Sequence, residues 1–216
     1  MGSEQAETAP WLGAYHSEAL VGRRLRTYRR KLHRLGLLGA SDGLKSLDIA
    51  CGSGEALDLM ASSGARDLYG IDLFRPSDPI RDFRRVVGDG TELPFAPASF
   101  DRVICTHSLH HFRTRQNLEL LFSESRRILK ADGALFLIDH FDTFYLRLIF
   151  WMCQLRLPFY PEAVRCFGTQ LREERDCIDW WLENWSDTFE LLKRSGFRVG
   201  RYNRGLFFFY LRGFPA

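Results

Sequence analysis

Leu47-Asp48-Ile49-Ala50-Cys51-Gly52-Ser53-Gly54 is the stretch that decides the fold of this 216-residue chain. With Ser46 in front, its first half reads as a buried strand that stops at a small, glycine-bearing turn. The turn feeds a helix opening near Glu55, whose Ala56, Leu57 and Met60 keep helical spacing. Gly52 and Gly54 carry no Cβ, so the backbone there can take positive φ and a ligand can approach closely, while the helix N-terminus offers unpaired N–H groups. Such a turn suits a nucleotide-like ligand.

Working outward, residues 67–71 read as a second strand ending in Asp72, 20 residues beyond Gly52. Doubly wound sheets place there the carboxylate that grips a ribose diol. A dinucleotide fingerprint would need a further glycine, but Glu55 and Leu57 stand at and near that place. A carboxylate at the helix mouth repels pyrophosphate and tolerates a cationic ligand instead. Val86-Val87-Gly88-Asp89-Gly90 then reads as a short strand and an acidic turn, and residues 99–112 as a fourth strand running into Thr106-His107-Ser108-Leu109-His110-His111-Phe112.

With these four motifs in this order and spacing, the chain resembles the class I S-adenosylmethionine-dependent methyltransferases, of the small-molecule group that includes the ubiquinone and menaquinone biosynthetic enzymes. The resemblance is strong over residues 15–142 and holds only in outline elsewhere. It implies an α/β, Rossmann-like, doubly wound sheet of seven strands with the last antiparallel, S-adenosylmethionine as cofactor, and a small-molecule acceptor. It also implies that Asp48, Ala50, Gly52 and Gly54 shape the methionine end of the site, and that Asp72, with Leu73 beside it, binds the ribose hydroxyls. Asp89 and Gly90 would flank the adenine, Thr106 the amino-acid moiety, and Tyr15 would help close the site. Ala50 departs from the glycine that many members carry.

Composition agrees with one enzyme domain behind a polar tail over residues 1–14. At 216 residues and 45% hydrophobic the chain can bury a full core. A net charge of +3 argues against a dedicated nucleic-acid binder, DNA above all. Five cysteines without a Cys-x-x-Cys pair read as reduced thiols in a cytoplasmic protein, and the polar start shows no secretory signal. Residues 18–38 have a helical period with a cationic outer face built from Arg23, Arg24, Arg26, Arg29, Arg30, Lys31 and Arg34. Such a face is either plainly solvated or set against an anionic surface, lipid or RNA. Monomer and homodimer both remain open.

Beyond the fourth strand, residues 117–130 read as an amphipathic helix, and Lys130-Ala131-Asp132-Gly133 as a turn into an all-apolar fifth strand over 134–139, covered on both faces. Asp139 and His140 then lie on the sheet edge where open α/β sheets bind ligands. The insertion over residues 143–185 starts with a greasy helix at 144–160, too short and too interrupted to span a bilayer. It is expected to act as a lid over an apolar acceptor, with Phe144 and Trp151 facing that acceptor; a core or dimer helix and an interfacial membrane helix are the alternatives. A polar segment over 171–185, a short helix ending at Gly196, and strands at 197–202 and 206–211 close the chain.

The chemistry would be positioning: an acceptor held in line about 3 Å from an electrophilic methyl group, with water kept out. For a hydroxyl acceptor, His110 and His111 are the candidate bases, and His107 and His140 are expected beside the substrate. No metal is expected, since no acidic or thiol ligand lies at suitable spacing on the histidine loop. An RNA methyltransferase working through the basic helix, and a scaffold that binds the cofactor without chemistry, are the rival functions.

Overall fold

The computed structural model describes residues 18–39, 43–74, 83–155, 157 and 159–216; Tyr15 and the tail at 1–14 lie outside the described residues. The first helix, α1 (Glu18–Leu35), precedes β1 (Ser46–Ile49), α2 (Glu55–Ala61) and β2 (Leu68–Asp72). β3 (Arg84–Val87) and β4 (Phe100–Thr106) follow, then a 3-10 turn over Leu109–Phe112 and α3 (Arg115–Ile128). After β5 (Leu129–His140) come the helices α4 (Phe144–Gln154), α5 (Glu162–Glu173), α6 (Arg175–Asn184) and α7 (Asp187–Arg194), and last β6 (Phe197–Arg204) and β7 (Phe208–Pro215).

One seven-stranded sheet runs β3-β2-β1-β4-β5-β7-β6. β1 pairs in parallel with β2 and β4, while β7 is antiparallel to both β5 and β6. The chain order reverses between β1 and β4, so the carboxyl ends of those strands open the crevice where such sheets bind ligands.

The apolar runs explain why each strand is where it is. Along β5, Leu135 and Leu137 enter a core with Phe100, Phe122, Trp181 and Phe209. Ala134, Phe136 and Ile138 alternate onto the other face, with Leu32, Leu57, Met60 and Tyr210. A strand engaged on both faces needs the unbroken apolar sequence that β5 has over 134–138. Edge strand β6 is exposed over most of its length and carries Arg198, Arg201 and Arg204, side chains that discourage pairing with another chain.

Some boundaries differ from the sequence reading. α3 stops at Ile128 and β5 already starts at Leu129. Phe100 stands opposite Leu129 but Arg102 opposite Ala134, so the expected turn at 130–133 is folded into the strand as an irregular excursion. The last strands end later than expected, at Arg204 and Pro215, and Leu206, expected to start the second of them, sits exposed in the turn between them. The insertion is not one lid: Trp181 of α6 is 1% exposed and part of the main core, and its indole Nε1 donates to the His140 carbonyl at 2.9 Å. No helix of the described residues is long and apolar enough to cross a membrane.

Candidate active site

The glycine turn is built from left-handed residues. Ala50, Gly52 and Gly54 have φ of 55°, 51° and 85°, and Gly54 is the residue on which α2 starts. The positive φ of Gly54 favours glycine, and a Cβ there would push the Phe83 ring aside. Asp72, at the end of β2, fastens the turn: its carboxylate accepts from the Gly52 N–H at 2.7 Å and the Phe74 N–H at 3.0 Å.

The turn has an acidic lining. Asp48 is buried, its Oδ1 has no hydrogen-bond partner, and burial together with Asp72 raises its pKa well above the carboxylate range. Opposite, the Arg85 guanidinium donates to the Gly52 carbonyl at 2.7 Å and lowers the cost of charge on Asp48. The mouth therefore already holds a cation. Asp89 is exposed and its Oδ1 accepts from the Thr91 N–H at 2.8 Å, rounding the next turn. A Cβ at neighbouring Gly90 would press on Ile49 and Phe112.

At the end of β4, α1 reaches over the sheet. The Tyr28 and Thr106 hydroxyls hydrogen-bond, and burial followed by Asp48 raises the pKa of Tyr28 well above its ordinary value. One turn on, Lys31 Nζ lies 3.0 Å from His107 Nε2 and 3.5 Å from the centre of the Phe208 ring. Burial brings the Lys31 pKa down to about 7 against the pull of Asp139. Burial, then Lys31, holds the His107 ring well below the usual histidine range.

Asp139 organises the remaining histidines. Fully buried at the end of β5, it accepts from the Leu109 N–H at 2.8 Å, from His110 Nδ1 at 3.1 Å, and from the His140 N–H at 2.7 Å. Burial opposes charge on both Asp139 and His110, but their mutual attraction wins: the Asp139 pKa is well below the ordinary value and that of His110 above it. The other ring nitrogen of His110 faces Glu174, which lies between α5 and α6, at 3.9 Å. The His111 ring is exposed and its centre is 4.2 Å from that of His110.

The turn residues Asp48, Ala50, Gly52, Gly54 and Asp72 thus come together, as do Thr106, His107, His110 and His140 at the ends of β4 and β5. Leu73 is exposed beside Asp72. Phe144 and Trp151 do not join the histidines: they are 75% and 60% exposed on the outer side of α4. The residue that α4 turns toward His140 is Phe150, with ring centres 5.6 Å apart. Four participants escaped the sequence reading, namely Tyr28, Lys31, Arg85 and Glu174. The spacing of Tyr28 and Lys31 with buried Leu32 and Leu35 was the available signal for the first two. For Glu174 no local signal exists, and this residue, brought in from a distant helix end, gives the histidine loop a second acidic neighbour besides Asp139.

Comparison with known proteins agrees with this geometry. The family described as a methyltransferase domain matches residues 47–137. An uncharacterized methyltransferase of Synechocystis is 33% identical over 178 residues, covering 79% of this chain and 76% of that protein. The 27-O-demethylrifamycin SV methyltransferase of Amycolatopsis mediterranei is 33% identical over 115 residues, 48% of this chain and 41% of that protein. A solved structure from Pyrococcus horikoshii matches with a TM-score of 0.61 at 22% identity, covering 94% of this chain and 93% of that one. The magnesium protoporphyrin IX methyltransferase of Synechocystis, with bound SAH, matches at 0.55 and 18% identity over 98% and 90%. These two share the fold.

Proposed function

The chain belongs to the S-adenosylmethionine-dependent methyltransferases, and on that premise we propose that its acceptor is an apolar or aromatic small molecule. The observation that carries this reading is the aromatic wall about the histidines, where Phe150 of α4 and Phe208 of β7 pack on the His140 ring with centres 5.6 and 4.6 Å apart. Such apolar and aromatic lining beside a few polar groups suits an apolar ligand. One relative is named for a small-molecule acceptor, 27-O-demethylrifamycin SV, in keeping with a small-molecule acceptor here.

The donor set fits the cofactor. An orphaned buried carboxyl oxygen on Asp48 and a turn whose left-handed Gly52 and Gly54 leave the backbone open to close approach favour a ligand with a hydrogen-bond-donating, amino-acid end. Asp48, Ala50, Gly52, Gly54 and Thr106 would hold that end, Asp72 and Leu73 the ribose, and Asp89 and Gly90 the adenine. Bound S-adenosylmethionine supplies a methyl group that is electrophilic without further activation.

The protein's own task is then to orient the acceptor, keep water out and take a proton. His110 is built for the last. Asp139 fixes its Nδ1, so Nε2 is the nitrogen that can face an acceptor hydroxyl, and a buried carboxylate stands ready to stabilise the charged ring. His111 is the exposed alternative, and His107 and His140 frame the space. The test is transfer of label from methyl-labelled S-adenosylmethionine to a panel of aromatic and isoprenoid hydroxyl compounds and, in parallel, to transfer RNA. Label in the organic-extractable fraction supports the reading; label confined to RNA replaces it with the basic-helix alternative.

A further inference from the structure

We propose, building on the methyltransferase reading of this site, that His110, His111 and Glu174 form a binding site for a zinc-type divalent ion on the acceptor side. Each offers one ligand atom, and these atoms lie within 4.8 Å of one another. His110 Nε2 and Glu174 Oε2 are 3.9 Å apart. That is too long for a hydrogen bond yet close to the ~3.4 Å that separates two ligands held about 2.0–2.2 Å from a tetrahedral zinc ion. The remaining closure falls to His111, the exposed member.

What surrounds the trio has the form of a metal site's outer shell. Asp139 accepts from His110 Nδ1 at 3.1 Å, which fixes the tautomer with the Nε2 lone pair outward, as in carboxylate–histidine–metal arrangements. Gln170 Nε2 donates to the two Glu174 oxygens at 3.2 and 3.3 Å and holds that carboxylate in place. A second trio, His107, Asp139 and His140, also comes close together. There, however, the one carboxylate is taken up by the Leu109, His110 and His140 N–H groups and two rings. His107, moreover, faces Lys31. The first trio has no such conflict.

Two histidines and one glutamate leave a fourth position open, as in catalytic rather than structural zinc sites. An oxygen of the acceptor would fill it, and with His110 Nε2 serving as a ligand the ion would lower the hydroxyl's pKa in place of His110 acting as base, so the class of ligand recognised is a hydroxyl or phenol rather than a hydrocarbon alone. The metal would also explain why an insertion helix end, α5–α6, is bent back to put a buried carboxylate beside the histidine loop.

Tag-free protein, stripped with a chelator and dialysed, should be titrated with zinc by calorimetry and with cobalt by visible absorption. One equivalent of zinc should bind, with a cobalt spectrum of low coordination number. Glu174→Gln and His111→Ala should each weaken zinc at least about tenfold, and Asp139→Asn by about 10–100-fold. S-adenosylmethionine affinity, measured on the same samples, reports folding, and exposed His111 keeps the test sound should Glu174→Gln fail to fold. The proposal is overturned if no zinc binds below about 1 mM, or if binding is the same in His111→Ala and Glu174→Gln as in the native chain. Native protein that binds S-adenosylmethionine but no metal would leave the methyltransferase reading standing, with a protonated His110 bridging Asp139 and Glu174 instead.

Discussion

The two halves of the sheet's ligand edge are assembled in opposite ways. In the half made by β1, α2 and β2, the decisive bond joins Gly52 to Asp72, 20 residues apart within one βαβ unit. In the half made by β4, β5 and the insertion, Tyr28 meets Thr106 across 78 residues, Lys31 meets His107 across 76, and Trp181 meets the His140 carbonyl across 41. On the proposed reading the first half would bind the cofactor, a ligand whose shape the family shares. The second is put together from whatever α1, α4 and α6 bring, so a change of acceptor needs no change in the first.

The sharpest way to break this division is Gly52→Val. Its φ of 51° is strained for a β-branched residue and the side chain would stand where the ligand approaches. S-adenosylmethionine binding by calorimetry should fall below detection while circular dichroism stays native. Retained binding would mean that the turn faces elsewhere. Next in size, Asp139→Ala strips the partner from buried His110 and from several backbone N–H groups, and breaking such a pair costs about 3–5 kcal/mol. Urea denaturation should show that loss, and an unchanged midpoint would deny Asp139 its organising place.

Asp72→Ala tests the cofactor half more gently. Charge-assisted hydrogen bonds are worth roughly 1.5–3 kcal/mol, so affinity for S-adenosylmethionine should drop about tenfold or more. Part of that loss will come through the loosened Gly52 and Phe74 N–H groups. Lys31 gives a pH signature for the other half. Folded, it releases its proton near pH 7, whereas the unfolded side chain keeps it to 10.5. Between these values the unfolded chain binds more protons, so native stability should rise with pH across that window. Lys31→Met should flatten the rise and be the more stable form at pH 7; a Lys31→Met denaturation profile parallel to the native one would place the amine in water. The smallest effect belongs to Trp151→Ala. At 60% exposure it should change stability by under about 0.5 kcal/mol, in contrast to Trp181→Ala, which should cost about 3–5 kcal/mol.

The same contrast explains what could be read from the residues alone. Strand, turn, helix and Asp72 of the first unit were legible because every signal lies within 27 residues of Ser46 and obeys local rules of φ, period and charge. β5 was legible because apolar residues on both faces admit one burial pattern. Arg85 was not, since nothing in Arg84-Arg85-Val86 distinguishes the arginine that turns toward Gly52 from the one that pairs with Asp67. Lys31 looked like one more cation on a solvated face, because the helix axis that buries it is set by Leu32 and Leu35 packing on a distant sheet. Phe144 and Trp151 were read as inward from hydrophobicity, but a helix apolar on all sides gives no phase, and Leu146 and Phe150 took the inner face instead.

The division of labour itself is tested most directly by titrating S-adenosylhomocysteine into the native chain, Asp72→Ala and His110→Ala, since this requires no knowledge of the acceptor. Asp72→Ala should bind at least about tenfold more weakly, and His110→Ala should stay within about twofold of native, its loss being confined to turnover. Native affinity in Asp72→Ala, or a collapse of binding in His110→Ala with the fold intact, would contradict it.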